Sequence, residues 1–162
     1  MKRLLIISGW AHSTHVIEPI GKRFAHECKV ELLSGAEALQ LTRLPEADAI
    51  LTGSMGGLLA FERLPSSCEK VVILSGTACF CKKEGYTYGT AERILDRMIA
   101  QLEQDPTSLL DAFFAMCTPH KNLAGKIDRI RPPILTPYER VYSIYATPIC
   151  APSSPHYTYP FC

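Results

Sequence analysis

The sequence predicts an α/β fold in which a mostly parallel sheet is flanked by helices and carries a short helical lid. Three observations lead there. Short, wholly apolar runs end in small-residue turns, as strands buried on both faces do. Helix-like segments separate these runs, the pattern of parallel strands joined by crossovers. Beyond Gly89 the periodicity becomes that of helices alone.

In chain order, Leu4 to Ile7 is the first strand, closed by Ser8-Gly9. Ile17 to Glu27 places Ile17, Ile20, Phe24 and Ala25 at helical spacing. Val30 to Leu33 is a second strand, Ala36 to Leu41 is compatible with a helix, and Pro45 to Asp48 is a loop. A third strand, Ala49-Ile50-Leu51, runs into Thr52-Gly53-Ser54-Met55-Gly56-Gly57. Leu58 to Arg63 continues as a helix, and Val71 to Leu74 is a fourth strand with its turn at Ser75-Gly76. Thr90-Ala91-Glu92-Arg93 reads as a capped helix start, followed by Ile94, Leu95, Met98, Ile99 and Leu102 at helical spacing. Ser108 to Met116 is a second lid helix. The stretch after Arg131 is rich in Pro and Tyr and has no clear period.

At 162 residues the chain is one domain's worth, 1–162, with the lid over about 78–117. Hydrophobic residues at 47% and charged residues at 20% are ordinary for a globular domain. Lys+Arg at 17 against Asp+Glu at 16 leaves +1, a balance that predicts neither nucleic-acid nor membrane binding. The apolar run behind Lys2-Arg3 is four residues long, too short for a signal core of about 7–15. Seven scattered cysteines do not form a secreted disulfide pattern, so the expectation is a cytoplasmic chain with reduced thiols. Cys79-Phe80-Cys81 lacks the spacer and second pair of a zinc site.

The most informative stretch is Leu51 to Ala60, a strand, a small-residue turn and a helix. A serine nucleophile needs its hydroxyl held clear of the sheet on a sharp turn with tiny neighbours, the mechanics of Gly-x-Ser-x-Gly. Thr52-Gly53-Ser54-Met55-Gly56 fits with Thr52 in place of the first glycine. Ser54 then precedes a helix N-terminus, whose dipole and free N–H groups favour a developing oxyanion. The competing reading is a phosphate loop or a plain turn, but the lysine of a phosphate loop is missing.

Such an elbow calls for an acid and then a histidine downstream. Gly125-Lys126-Ile127-Asp128 offers Asp128 on a turn, with Glu139 as the competing acid and pairing to Lys126 or Arg129 as the structural alternative. His156 follows in a loop-like setting. His12, His15, His26 and His120 precede Asp128 and break the order. The oxyanion hole would combine the amides of Met55 and Trp10, the latter in the loop after the first strand. The Trp10 indole either walls an apolar pocket or packs in the core.

Ser8-Gly9-Trp10, Gly53-Ser54-Met55-Gly56-Gly57, Gly125-x-x-Asp128 and His156-Tyr157 together resemble the α/β-hydrolase esterases of biotin synthesis. These remove the methyl ester from pimeloyl-acyl-carrier protein. Ser75 to Cys81, with Glu84-Gly85-Tyr86 and Gly89-Thr90, is similar to the segment leading into that family's lid. The resemblance implies a minimal α/β-hydrolase and a serine esterase with Ser54 as nucleophile, His156 as base and Asp128 as its orienter. No cofactor or metal enters that scheme. The departures are Thr52 for glycine, Ser8 where many relatives have histidine, an abbreviated lid, and six residues after His156 where a closing helix is usual.

The implied partner is an acidic acyl carrier protein bearing a pimeloyl methyl ester, so a local basic face is expected. Lys82, Lys83, Arg93 and Arg97 would form a basic rim beside the pocket, although Glu92 and Asp96 interleave as on a solvated helix face. Phe113, Phe114 and Met98 would line the acyl channel or pack in the core. Two alternatives stand beside the carrier-protein esterase: a general short-chain carboxylesterase, and a degenerate hydrolase kept as a binding protein. The 74 positions from Ser54 to Asp128 leave room for one strand and two lid helices, which predicts an open, shallow pocket.

Overall fold

The computed structural model describes residues 1–77 and 79–117. Among the described residues four strands, β1 (Arg3–Ile7), β2 (Lys29–Leu33), β3 (Ala49–Gly53) and β4 (Lys70–Leu74), form one sheet in the order β2-β1-β3-β4. All three pairings are parallel, with Ile7 opposite both Leu33 and Thr52, and Gly53 opposite Leu74.

The apolar runs fill both faces of the central strands. Leu5, Ile7 and Ile50 pack on one side with Leu39, Met55 and Leu59. Leu4 and Ile6 pack on the other with Ile17, Ile20 and Phe24. A strand covered on both faces cannot alternate polar with apolar, which is why β1 reads as a continuous apolar run. On the outer strand β4 the cover gives out: Val72 and Leu74 are 43% and 53% exposed.

The helices are α1 (Glu18–Phe24), α2 (Gly35–Gln40), α3 (Met55–Glu62), α4 (Glu92–Gln104) and α5 (Pro106–Cys117), with a short 3-10 turn at Thr14–Val16. Helix α1 stops at Phe24, short of the expected Glu27. Helix α2 starts on a capping box: Ser34 Oγ accepts from the Glu37 amide, and the Glu37 carboxylate accepts from the Ser34 amide. Helix α3 begins at Met55, so Gly56 and Gly57, expected in the turn, lie within the helix. Glycine is a poor helix former, but close packing leaves room for nothing larger, because a Cβ on Gly57 would stand 2.8 Å from Ile73 Cγ2.

The segment expected to form the lid folds, over its described residues, as a helical hairpin of α4 and α5. The expected cap at Thr90-Ala91 is replaced by Ala91 as N-cap, with no side-chain hydrogen bond. Asp105 opens α5 instead, its Oδ1 accepting from the Ser108 amide at 3.1 Å. Leu95 and Ile99 of the α4 stripe are buried, while Ile94 lies at its edge and is 46% exposed. Among the described residues, no helix is long and apolar enough to cross a membrane.

Candidate active site

The strand order reverses between β1 and β3: from β1 the chain moves to one side of the sheet, and from β3 to the other. Crevices at the carboxyl ends of such strands are where open α/β sheets bind ligands. Here the loop after β1 meets the turn after β3. A Cβ on Gly9 would lie 3.3 Å from Ser54 Cβ and 3.6 Å from the Gly53 carbonyl oxygen.

Ser54 is the hinge of that turn. Its backbone sits at φ 50°, ψ −122°, a region an L-residue enters at a cost of about 1–3 kcal/mol. The conformation reverses the chain directly from β3 into α3, with the Ser54 amide still donating to the Leu74 carbonyl at 3.1 Å. Ser54 is exposed, whereas the following residues Met55 to Ala60 are all buried. The Met55 amide is the first of α3 and has no partner within the helix, so it presents a donor beside the serine.

Thr52, the departure from the glycine pattern, is buried, and its hydroxyl has no hydrogen-bond partner among the described residues. It lies against Gly56, where any Cβ would overlap Thr52 Oγ1. In this chain Thr52, with the Ser8 carbonyl oxygen 3.1 Å and Ile7 Cγ2 3.3 Å from the same point, leaves no room for a side chain at 56.

Ser54 borders an apolar cavity of about 60 Å³ beneath the lid. Trp10 and Phe80 form one part of its wall, Leu95, Met98 and Leu102 come from α4, and Phe113 comes from α5. The Trp10 and Phe113 rings meet edge to face, with centroids 4.9 Å apart. Trp10 therefore serves both readings, walling the cavity and packing against its neighbours. Phe114 does not line the cavity: at 1% exposure it packs with Ala11 and Leu110 and stands edge-on to His12. A second hollow, about 220 Å³, opens on the α1 side of Ser54, between Ile6, Ile17, Ile20, Leu51 and Leu74.

The loop after β1 is tied down by polar contacts that the sequence did not single out. Ser8 is buried, its hydroxyl donating to the His12 carbonyl at 2.8 Å and accepting from the Gly35 amide at 3.1 Å. His12, set aside by chain order as a base, places Nδ1 2.8 Å from the Trp10 carbonyl.

Lys82, Arg93 and Arg97 are exposed and Lys83 is half-buried. Each residue of an α-helix advances about 100°. Arg93 and Arg97, two positions either side of Leu95, therefore fall on roughly the opposite face of α4 from the cavity-lining stripe. They form part of the lid's outer surface rather than a rim at the cavity wall. Lys83 lies in a tight turn, exchanging backbone hydrogen bonds with Tyr86 around Gly85 at φ 78°. Cys79 and Cys81 are both buried, and burial pushes the Cys81 thiol up. Asp128, Glu139 and His156 lie outside the described residues.

No protein-family model matches the chain. Over 84 aligned residues it is 31% identical to a pimeloyl-[acyl-carrier protein] methyl ester esterase of Nitrosospira multiformis. That match takes in 49% of this chain and 32% of the relative, about a third of its length. The structure superposes on an esterase from Exiguobacterium antarcticum with a TM-score of 0.62 at 19% identity, covering 90% of this chain and 65% of that one. The likeness shows the fold, a minimal α/β-hydrolase sheet flanked by helices.

Proposed function

We propose that the chain is a serine carboxylesterase with Ser54 as its nucleophile, acting on the methyl ester of a pimeloyl group carried by acyl carrier protein. The observation that carries the esterase reading is Ser54 itself: an exposed serine held at positive φ between β3 and α3, bordering an apolar cavity. A phosphate loop would need no such strained serine, and it would not place an aromatic-walled apolar cavity beside it. The partial match to the Nitrosospira multiformis esterase supports the carrier-bound substrate.

In this reading Ser54 Oγ attacks the ester carbonyl carbon as His156 takes the hydroxyl proton and Asp128 orients the imidazole. The oxyanion rests on the Met55 and Trp10 amides. Methanol leaves with the proton returned by His156, and a water deprotonated by the same histidine releases the free acid and regenerates Ser54. The exposed Lys82, Arg93 and Arg97 on the lid side supply cations for an acidic carrier.

The cavity size favours a second reading, a carboxylesterase for short acyl groups with no protein partner. At about 60 Å³ the cavity is far below the roughly 150 Å³ that admits benzene.

The test is a pair of measurements. A fluorophosphonate should label the parent chain at Ser54 and leave Ser54→Ala unlabelled; an unlabelled parent removes the esterase reading and leaves a binding role. Reversing both Arg93 and Arg97 to Glu should reduce turnover of the carrier-bound methyl ester by at least roughly tenfold, the scale of lost electrostatic steering. A p-nitrophenyl acetate rate should be unaffected. Equal effects on the two substrates would leave the short-chain reading standing alone.

A further inference from the structure

We infer that His12 is a positioning residue for the oxyanion-binding loop, acting through the Trp10 carbonyl; this rests on the esterase reading above. The loop after β1 closes as a turn in which the His12 amide donates to the Gly9 carbonyl at 3.4 Å. Ala11, the third residue of that turn, sits at φ 60°. A turn of this kind ordinarily takes glycine there, because a Cβ opposes the conformation. Such a backbone persists only where its surroundings over-determine it.

The surroundings are the packing of Leu110 and Phe114 on Ala11 itself and the polar side chains of His12 and Ser8. His12 Nδ1 lies 2.8 Å from the Trp10 carbonyl oxygen. A carbonyl only accepts, so Nδ1 carries the proton and donates it. That bond fixes the Trp10–Ala11 peptide. The Ser8 hydroxyl holds the His12 carbonyl at 2.8 Å and is itself anchored by the Gly35 amide at 3.1 Å. His12 is thus gripped at its carbonyl while its ring grips Trp10. The ring is steadied by Phe114, edge-on with centroids 5.2 Å apart. Gly9 stands against Ser54, so rotation of the peptides that follow it moves the Trp10 amide relative to the nucleophile.

The donor and the aromatic contact can be separated. His12→Phe keeps a ring against Phe114 and removes the N–H. His12→Asn loses the ring but offers an amide N–H at nearly the same distance from the backbone. With p-nitrophenyl acetate and the full chain, His12→Phe should lower kcat roughly 30–100-fold, toward the lower end of what loss of an oxyanion donor costs. KM should stay within about twofold, because the interaction matters in the transition state rather than in substrate binding. His12→Asn should remain within roughly fivefold of the parent kcat, as expected where the hydrogen bond to the loop is retained.

A His12→Phe enzyme that keeps the parent kcat overturns the inference, and so does a His12→Asn enzyme that falls as far as His12→Phe. If His12→Phe does not fold, His12→Asn decides alone, and a kcat below a tenth of the parent's counts against the role. A parent chain that neither hydrolyses the ester nor takes a fluorophosphonate on Ser54 removes the esterase reading, and this role with it.

Discussion

The side chain of Thr52 occupies the space that a Cβ on Gly56 would need: the last inward-facing position of β3 and the second residue of α3 are fitted to each other. The contact joins strand to helix directly beneath Ser54, and it leaves the Thr52 hydroxyl buried without a partner among the described residues.

Gly56→Ala should therefore destabilise the fold by about 1–3 kcal/mol, the range for overpacking a closed site. Part of that loss should disappear in a Thr52→Gly background, where the overlapping hydroxyl is gone and the Ser8 carbonyl and Ile7 still crowd the site. A double-mutant cycle by urea unfolding measures the coupling, expected at about 1 kcal/mol or more for groups in direct contact. Strict additivity would mean that the strand–helix contact is not what excludes a side chain at 56.

Thr52→Val replaces a buried hydroxyl by a methyl of nearly the same shape. An unsatisfied buried polar group costs about 1–3 kcal/mol, so this variant should be more stable by about 1 kcal/mol. For a chain of this size the midpoint should rise by roughly 2–4 °C in a thermal melt. A lower midpoint would indicate that the hydroxyl has a partner after all.

Ser54→Ala and Ser54→Gly should both abolish esterase turnover, but they should differ in stability. Alanine keeps the Cβ that opposes φ 50°, and glycine does not. Ser54→Gly should be the more stable of the two by about 1 kcal/mol, the scale of left-handed strain at one residue. Equal midpoints would show that the turn relaxes once the serine is removed.

Phe113→Ala should widen the cavity at its α5 wall. Relative kcat/KM for p-nitrophenyl hexanoate over the acetate should rise severalfold, since one methylene of fit is worth roughly 10-fold or more. The lost edge-to-face pair with Trp10 should also cost about 0.5–1.5 kcal/mol of stability. Phe114→Leu, buried away from the cavity, should leave the chain-length profile unchanged.

The Arg3 amide donates to the Asp48 carboxylate at 2.6 Å, with the guanidinium beside it, and together they hold the carboxyl below its usual range. Hydrogen bonds from Ser108 do the same for Asp105. In both cases the unfolded chain takes up the proton at higher pH than the folded one. Their stabilisation is complete above the ordinary carboxylate pKa of about 3.9 and is lost as pH falls through the depressed folded value. Asp48→Asn should therefore lower the thermal midpoint at pH 7, and the gap from the parent should close as the melts are taken below about pH 4. A gap that stays constant across that window would rule out the carboxylate charge as its source.

The local grammar of the chain was enough to read the strands and most helices. Leu4 to Ile7 and Val30 to Leu33 announced themselves because continuous apolar runs have no other stable use in a parallel sheet. Ser54 was legible because a strand, small residues and a helix follow one another without a break. Helix α3 was legible only in part: Gly56-Gly57 carries a turn signal, yet both lie in the helix, where Thr52 and Ile73 leave no room for a side chain. The sequence by itself therefore determined the α/β alternation and the position of the elbow, both properties of neighbouring residues. Tertiary structure decided which of two adjacent aromatics faces the cavity, Phe113 rather than Phe114. It set Arg93 and Arg97 on the outside of the lid, and it gave Ser8 and His12 their hold on the Trp10 loop. Each of those depends on how distant segments turn toward one another, and spacing along a chain fixes a helix's faces without saying what each face will meet.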